Sequence, residues 1–315
     1  MNSFIDYIIQ GIVQGLTEFL PVSSDGHLSL VQHFLNVSGD GALLGTVLLH
    51  LGTLAAVFIV FWKTIWSLIK EFVFLIGDVF TGKFKWKTMS LNRRMVVMII
   101  IATIATFVLL VFPVPGPAAM AEKDVLFSVG SLRFTMMKDL YAFWSEDSDI
   151  IVEGICFLIT GTLLLMGSRS KKRKTGNDIT AKDSILIGLF QGLAALPGVS
   201  RSGSTISIGL YRGLPKDYIV QFSFILGIPA ILGANVLEIG DAMKEQVSIE
   251  LMPMLVGVVV AALVGLFAIK ALQWLIKNDK LYLFGYYCLI LGALTLICGL
   301  VELFAGQTIP QMIGG

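Results

Sequence analysis

The sequence predicts an all-α polytopic membrane protein with six transmembrane helices plus two re-entrant helical hairpins in an inverted-topology repeat. The 315 residues are 56% hydrophobic and only 14% charged, and the mean hydropathy is +0.83, far from the values of soluble domains. Six apolar segments are long enough to cross a bilayer, and two further segments are interrupted by Pro, Gly and polar residues. The net charge of +1 indicates no nucleic-acid partner.

Each predicted crossing contains the roughly 20 mostly apolar residues that span about 30 Å of hydrocarbon. The crossings cover residues 44–62, 94–112, 150–167, 218–237, 252–274 and 281–304. The interrupted segments are 4–36, which breaks at Pro21, and 184–211, which breaks in "PGVSRSGS". Half-helices are tolerated at membrane depth only where protein or a wet cavity satisfies the freed backbone groups. Both segments are therefore predicted to be re-entrant hairpins.

Charge in the connecting loops predicts the orientation of the crossings. The 63–94 and 169–183 connections are rich in Lys and Arg, whereas the 113–149 and 238–250 connections are not. The positive-inside rule places the first two in the cytoplasm and the other two outside. The crossings then alternate only if hairpin 4–36 opens outward and hairpin 184–211 opens inward. We expect a single membrane domain, 1–315, with repeat one at 1–168, a cytoplasmic basic loop at 169–183 and repeat two at 184–305.

An internal alignment supports this repeat independently of topology. "GIVQGLTEFLPVSSDG" (11–26) aligns without gaps on "GLFQGLAALPGVSRSG" (188–203). Gly11 matches Gly188, Gln14 matches Gln191, and Gly26 matches Gly203. Inverted repeats of this kind tend to place a site near the bilayer midplane, where the broken helices meet. In one alternative, Gln14 and Gln191 hydrogen-bond each other across the pseudo-twofold axis.

The hairpin tips carry polar side chains that are costly at membrane depth and are therefore functional candidates. These are Glu18, Ser23, Ser24, Asp25 and His27 in the first tip, and Ser200, Arg201, Ser202, Ser204 and Thr205 in the second. The planar fork of Arg201 suits a carboxylate or a phosphate. It either binds an anionic ligand or pairs with Glu18 or Asp25 to lock the halves together. Facing helix N-termini would complete a pocket for phosphate or diphosphate.

Hydrolytic chemistry is suggested by the neighbours of this pocket. Ser24 and His27 lie one helical turn apart, as a nucleophile and its base would. Gln14 and Glu18 share one helix face, and the Glu18 carboxylate could orient the imidazole or hold a divalent cation. Two plainer alternatives stay open, in which His27 only caps a helix end and Asp25 is an exposed N-cap residue.

The motifs "QGLTEFLPVSSDGHL" and "LPGVSRSGST" closely resemble the two signature regions of the undecaprenyl-diphosphatases, bacterial membrane enzymes also called bacitracin-resistance proteins. The resemblance covers nearly the whole chain in segment order and length. It implies hydrolysis of undecaprenyl diphosphate to the monophosphate carrier lipid and inorganic phosphate, at a site open to the extracytoplasmic side of the bacterial inner membrane. The implied partners are this polyprenyl diphosphate, bacitracin as a competitor for the lipid, and membrane lipids; a homodimer is left open.

The resemblance assigns residues by position. Gln14 and Glu18 match the (E/Q)xxxE pair, Ser24 and His27 match the Ser and His of the first signature, and Arg201 matches the Arg of the second. Substrate binding is further expected from Gln14, Ser23, Gly26, Ser200, Ser202, Gly203, Ser204 and Thr205.

In the expected mechanism, Arg201 and backbone N–H groups near Ser24 and Ser202 hold the terminal phosphate. Ser24, or a water in its place, attacks phosphorus with His27 as the general base. Glu18 orients His27 or bridges the diphosphate through Mg²⁺ or Ca²⁺. The rival function is a secondary transporter or a lipid-carrier flippase that uses the same cavity.

Two features depart from the resemblance. Asp25 stands where the family usually has Thr, which adds negative charge near a phosphate site and implies a cation or an outward-facing side chain. The 113–149 loop is longer than usual, and "LRFTMMKDLYAFW" within it is expected to form an amphipathic helix at the outer interface.

Overall fold

The computed structural model describes residues 3–35, 40–83, 86, 89–117, 120–121, 124–129, 132–145, 150–171, 173–245 and 250–314. The first half of the described chain contains α1 (Ser3–Thr17), α2 (Ser24–Leu35), α3 (Asp40–Phe80), α4 (Leu91–Leu110), α5 (Met137–Ser145) and α6 (Ile151–Ser168). The second half contains α7 (Ala181–Leu193), α8 (Arg201–Tyr211), α9 (Lys216–Glu245), α10 (Leu251–Lys277), α11 (Leu281–Ala305) and α12 (Ile309–Gly314). The last residue of the predicted first hairpin, 36, lies outside the described residues.

In the described part of the chain, six helices are long and apolar enough to cross a membrane, as predicted: α3, α4, α6, α9, α10 and α11. Helix α3 continues past residue 62, the predicted end of the first crossing, to Phe80, and it has a kink at Phe61 (φ −106°, ψ 17°). Beyond the kink, Ile65, Leu68 and Leu75 are buried on one face, while the exposed face mixes a few charged residues with large apolar side chains such as Trp66 and Phe74. The isolated charged residues therefore do not end the helix.

The two interrupted segments form pairs of short helices. α1 has 15 residues and α2 has 12, while α7 has 13 and α8 has 11. Each is shorter than the roughly 20 residues of a crossing. α1 packs chiefly on α10, α7 on α4, and α8 on α6. Long helices therefore surround the short ones, and the two breaks lie within the bundle.

A small antiparallel sheet follows α4, with β1 (Pro113–Pro115), β2 (Phe127–Val129) and β3 (Leu132–Met136) in the order β1-β3-β2. The prediction of a helix over "LRFTMMKDLYAFW" is thus wrong for its first half, since α5 begins only at Met137. Thr135 is fully buried and donates to the Asp124 carbonyl at 2.6 Å, while Phe127 and Phe134 stack at 4.8 Å between ring centroids. Such β-branched and aromatic cross-strand pairs favour a strand here.

A buried carboxylate fixes the start of the second helix pair. Asp183, in the first turn of α7, accepts hydrogen bonds from Lys174 Nζ at 2.6 Å and from Arg212 Nε at 2.6 Å. Thr180 caps the same helix and donates its hydroxyl to Asp183 at 2.8 Å. Burial alone would raise the pKa of Asp183, but the bonds from Lys174 and Arg212 hold it below its ordinary value. The basic 169–183 segment is thereby joined to both α7 and the end of α8.

Helix α2 is held by buried carboxylates of two long helices. Ser29 Oγ donates to Glu153 on α6 at 2.7 Å. His33 Nε2 lies 2.8 Å from Glu302 on α11. Polar contacts between helices have no strong competition from water at membrane depth, so α2, which begins at the first break, has a defined orientation.

Candidate active site

The break between α1 and α2 lies against the break between α7 and α8. A methyl group added to Gly26 would lie 2.7 Å from Gly198 Cα, and one added to Gly203 would lie 3.1 Å from the Pro21 carbonyl oxygen. Carbon atoms in ordinary contact are about 3.5–4.0 Å apart, so neither position has room for a side chain. Gly198 also has a φ of +93°, which favours glycine. The two motifs therefore form one site.

Serines cap the helices that follow both breaks. Ser23 Oγ accepts the Gly26 N–H at 3.3 Å, and Ser200 Oγ accepts the Gly203 N–H at 3.0 Å. Ser23 adopts a φ of 71°, uncommon for a residue other than glycine. The first N–H groups of a helix have no intrahelical partner, so two helix N-termini meet at the site with their positive ends.

Glu18 is the centre of a cluster that joins the two halves. It is 7% exposed, and its Oε1 accepts a hydrogen bond from Arg201 Nη2. Its Oε2 accepts from Ser24 Oγ at 2.6 Å and from Gln14 Nε2 at 3.2 Å. The structure thus brings together four of the residues singled out from the sequence. The Glu18–Arg201 pair is the locking contact that the sequence left open beside anion binding.

His50 on α3 belongs to this cluster, although sequence reasoning missed it. Its Nε2 lies 3.4 Å from Glu18 Oε2 and 3.4 Å from Asp25 Oδ1, and its Nδ1 lies 2.9 Å from the Thr46 carbonyl oxygen. The Asp25 side chain is 49% exposed, so it stands at the open side of the cluster. The sequence signal is a lone histidine within "VLLHLGTLAA", an ionisable residue inside a crossing.

His27 has partners other than Ser24. Its Nδ1 lies 2.7 Å from the Ser23 carbonyl oxygen, and its Nε2 lies 2.7 Å from the Tyr287 hydroxyl. The ring also meets Phe157 edge to face, with centroids 5.2 Å apart. A nitrogen beside a carbonyl must donate, so Nδ1 carries hydrogen and Nε2 can accept from Tyr287. Ser24 instead uses Glu18 as its acceptor.

The remaining candidates on α8 are buried. Ser202 Oγ lies 3.4 Å from Ser200 Oγ, and the Thr205 hydroxyl lies 2.6 Å from Ser223 Oγ on α9. Ser204 Oγ is buried and has no hydrogen-bond partner among the described residues. Thr205 therefore ties α8 to α9, whereas Ser204 has a free hydroxyl one turn from the Arg201 backbone.

The glutamines of the repeated motif do not hydrogen-bond each other. Gln14 Nε2 donates to Glu18 at 3.2 Å, and Gln191 Nε2 donates to Thr106 Oγ1 at 3.2 Å. Each has a different partner because only the first copy of the motif carries a glutamate one turn further on.

A divalent cation does not fit Glu18 as the side chain stands. Both carboxylate oxygens accept hydrogen bonds from protein donors, namely Arg201, Ser24 and Gln14. Hard cations bind carboxylate oxygens directly, so an ion here would have to compete with these donors for the carboxylate. In the described part of the chain, no group of three or more His, Cys, Asp and Glu side chains is arranged to hold a metal ion.

Fold and site together define a class: a multi-pass helical membrane protein with a buried ionisable cluster where two interrupted helix pairs meet. Arg201 and Ser24 both contact the Glu18 carboxylate, and these three residue types can serve as an anion clamp, a nucleophile and a proton acceptor.

The chain belongs to the bacitracin resistance protein BacA family, which it matches over residues 7–294. A protein named undecaprenyl-diphosphatase from Alkaliphilus metalliredigens (strain QYMF) is 40% identical over 296 residues, which cover 93% of this chain and 98% of that protein. Proteins of the same name from Methanosphaera stadtmanae (36% over 306 residues, covering 96% and 100%) and Treponema denticola (37% over 290 residues, covering 92% and 95%) are also similar. The family resemblance carried by the two motifs is confirmed.

Proposed function

We propose that this chain hydrolyses undecaprenyl diphosphate to undecaprenyl phosphate and inorganic phosphate, which recycles the carrier lipid for cell-wall synthesis. The observation that carries the proposal is the contact of Arg201, Glu18 and Ser24 in a member of this family. The name of the relatives agrees with it. A site enclosed by membrane helices suits this substrate, because the polar head can enter the cluster while the prenyl chain leaves sideways into lipid.

Binding begins with an exchange of partners at Arg201. Without substrate, the guanidinium is paired with Glu18. A terminal phosphate offers more acceptor oxygens in the geometry of the Arg fork, so it takes over Arg201 and frees Glu18 Oε1. The helix N-termini at Ser24 and Arg201 add backbone N–H groups to this phosphate. Substrate binding thereby relieves Glu18 of a positive neighbour and makes it a stronger base.

The freed carboxylate lies in hydrogen-bond contact with the nucleophile. Ser24 Oγ is 2.6 Å from Glu18 Oε2. As Ser24 attacks the terminal phosphorus, its proton passes to Glu18, the bond to the bridging oxygen breaks, and undecaprenyl phosphate leaves. A water then cleaves the phosphoserine and releases inorganic phosphate. In the alternative, a water replaces Ser24 and attacks directly, and Glu18 takes the proton from that water.

The base role goes to Glu18 rather than His27 because of the contacts of the two side chains. The nitrogens of His27 face Ser23 and Tyr287, whereas Glu18 faces the Ser24 hydroxyl. We assign His27 to fixing the turn at Ser23, from which Ser24 projects. Bacitracin acts in this scheme as a competitor for the lipid substrate. A homodimer is compatible with the function.

We further propose that the two helix pairs are re-entrant hairpins of an inverted repeat, with repeat one at 1–168 and repeat two at 184–305. Glycines at matching positions of the two halves pack on equivalent helices. Gly11 and Gly15 contact α10 at Gly257 and Ala261, whereas Gly188 and Gly192 contact α4 at Ala102 and Thr106. The reciprocal contacts of Gly26 with Gly198 and of Gly203 with Pro21 support the same pseudo-twofold axis. The Lys- and Arg-rich connections support a cytoplasmic position for 169–183 by the positive-inside rule. In this proposal the first hairpin and the site open to the extracytoplasmic side of the bacterial inner membrane.

Phosphate release from undecaprenyl diphosphate by the purified protein in detergent tests the function. Wild type should release phosphate, and a pure transporter would release none. Ser24→Ala separates the two attack modes, since covalent attack predicts at least about a thousandfold loss of kcat. Ser168→Ala is the matched control, because its hydroxyl bonds only the Leu165 carbonyl of its own helix. Near-normal turnover by Ser24→Ala would leave water as the attacking group.

A further inference from the structure

His50 stands in the active site without a role in the chemistry above. It reaches the cluster from α3, and its Nε2 is 3.4 Å from a carboxylate oxygen of Glu18 and 3.4 Å from one of Asp25. The His50 side chain is 17% exposed, so its contacts with Glu18 and Asp25 lie just inside the open side of the cluster. A histidine that only filled space between helices would not need two acidic neighbours.

The hydrogen-bond partners of His50 define its charge state. Nδ1 lies 2.9 Å from the Thr46 carbonyl oxygen, which can only accept, so Nδ1 carries hydrogen. Nε2 faces two carboxylates, which also accept when ionised. A neutral imidazole has only one N–H and would turn a lone pair toward these oxygens. The doubly protonated imidazolium satisfies both sides of the ring.

The His50 imidazolium balances the charge of the cluster. Glu18 and Asp25 are two negative groups, and Arg201 reaches Glu18 from the opposite side to His50. Among the described residues, the charged side chains in ion-pair contact with one another at this site are Glu18, Asp25, His50 and Arg201. With His50 charged, two acids face two cations. Once a phosphate takes Arg201, His50 is the cation that stays with both acids.

We propose that His50 is a positioning residue that acts as a coupled pair with Asp25: its imidazolium holds Glu18 toward Ser24 and neutralises Asp25 at the entrance for the diphosphate. The inference deepens the proposed phosphatase function and rests on it. It also accounts for the position of Asp25 beside a phosphate site, because the His50 imidazolium of the same chain balances the carboxylate charge without a metal ion.

The proposal predicts charge rescue. His50→Gln keeps a hydrogen-bond donor but leaves an unbalanced acid, so KM for the diphosphate should rise at least about tenfold, the effect of one unit charge several ångströms from a phosphate. Asp25→Asn in the same chain should bring KM back to within about threefold of wild type. Asp25→Asn alone should not raise KM. If His50 served packing only, the double variant would be at least as impaired as His50→Gln, and that result would overturn the coupling.

A spectroscopic measurement tests the charge without turnover. In protein labelled with ¹⁵N-histidine at pH 7, the ring signals lost in His50→Gln should be those of an imidazolium with both nitrogens protonated. His33→Gln is the matched control for the spectrum, because His33 pairs with Glu302 outside the cluster; it should remove other signals and leave those of His50 in place. Neutral-imidazole signals for His50 would refute the proposal. Wild-type protein that releases no phosphate would instead refute the proposed function, while the spectrum would still decide the charge of His50.

Discussion

Adding one methyl group at Gly26 should separate the two halves of the active site. In Gly26→Ala the new Cβ would lie 2.7 Å from Gly198 Cα and 2.9 Å from Gly198 N. Both are backbone atoms, which cannot rotate away as a side chain can. Restoring a normal carbon–carbon separation requires a displacement of about 1 Å. A misplacement of that size at a catalytic centre costs about a hundredfold in rate, or about 2.7 kcal/mol of transition-state stabilisation.

The assay is phosphate release from undecaprenyl diphosphate, with thermal unfolding in detergent measured alongside. Alanine favours a helix over glycine by about 1 kcal/mol, so weaker helix formation in α2 cannot explain a loss. Gly77→Ala is the matched control, because its added methyl meets nothing within 4 Å, and it should keep full activity. If folded Gly26→Ala retained activity within threefold of wild type, the close approach of the tips would not be what aligns Glu18 with Arg201.

Further substitutions probe other parts of the structure. Arg201→Lys should lower kcat/KM at least about a hundredfold in the phosphate assay, because a point charge cannot replace a planar fork; full activity would exclude the clamp. Tyr287→Phe should lower kcat about three- to tenfold, since His27 loses one of two anchors, and an unchanged kcat would mean that the Ser23 carbonyl alone fixes the ring. Asp183→Asn should cost about 2 kcal/mol of unfolding free energy at neutral pH, because Lys174 and Arg212 lose their shared acceptor. The pKa of Asp183 is lower in the folded state, so its contribution to the free energy of unfolding is complete above about pH 4 and disappears as pH falls through the folded pKa. The free energy of unfolding of Asp183→Asn should therefore vary less with pH over that acidic range than that of wild type. Identical pH curves for the two proteins would contradict the assignment.

Sequence patterns predicted the membrane helices well where aqueous loops flank them. α6 spans Ile151–Ser168 and α11 spans Leu281–Ala305, within a residue or two of the predicted 150–167 and 281–304. The pairing of Glu18 with Arg201 was among the predicted alternatives, because a buried charge needs a partner and the aligned motifs bring the two together.

Other features depend on contacts that no local pattern contains. Hydropathy averaged over a crossing hides a single His50, and its role is visible only beside Asp25 and Glu18. The extension of α3 to Phe80 depends on neighbouring helices that bury one face of a stretch in which charged residues interrupt the apolar pattern. Strand β3 owes its form to pairing with Phe127–Val129, which closely precedes it, and with Pro113–Pro115, which lies further back in the sequence than a helical turn reaches.

The Glu18–Arg201 pair also has a consequence for synthesis of the protein. Its members are 183 positions apart in the chain, and at roughly 5–20 residues per second a ribosome takes roughly 10–40 s to make that length. Throughout that interval the nascent first hairpin holds a carboxylate without its arginine. Gln14 and Ser24, from the same hairpin, and His50, from the next helix, are its available partners until then. The active site is thus completed late, when the second helix pair inserts and Arg201 joins the partners that Glu18 already has.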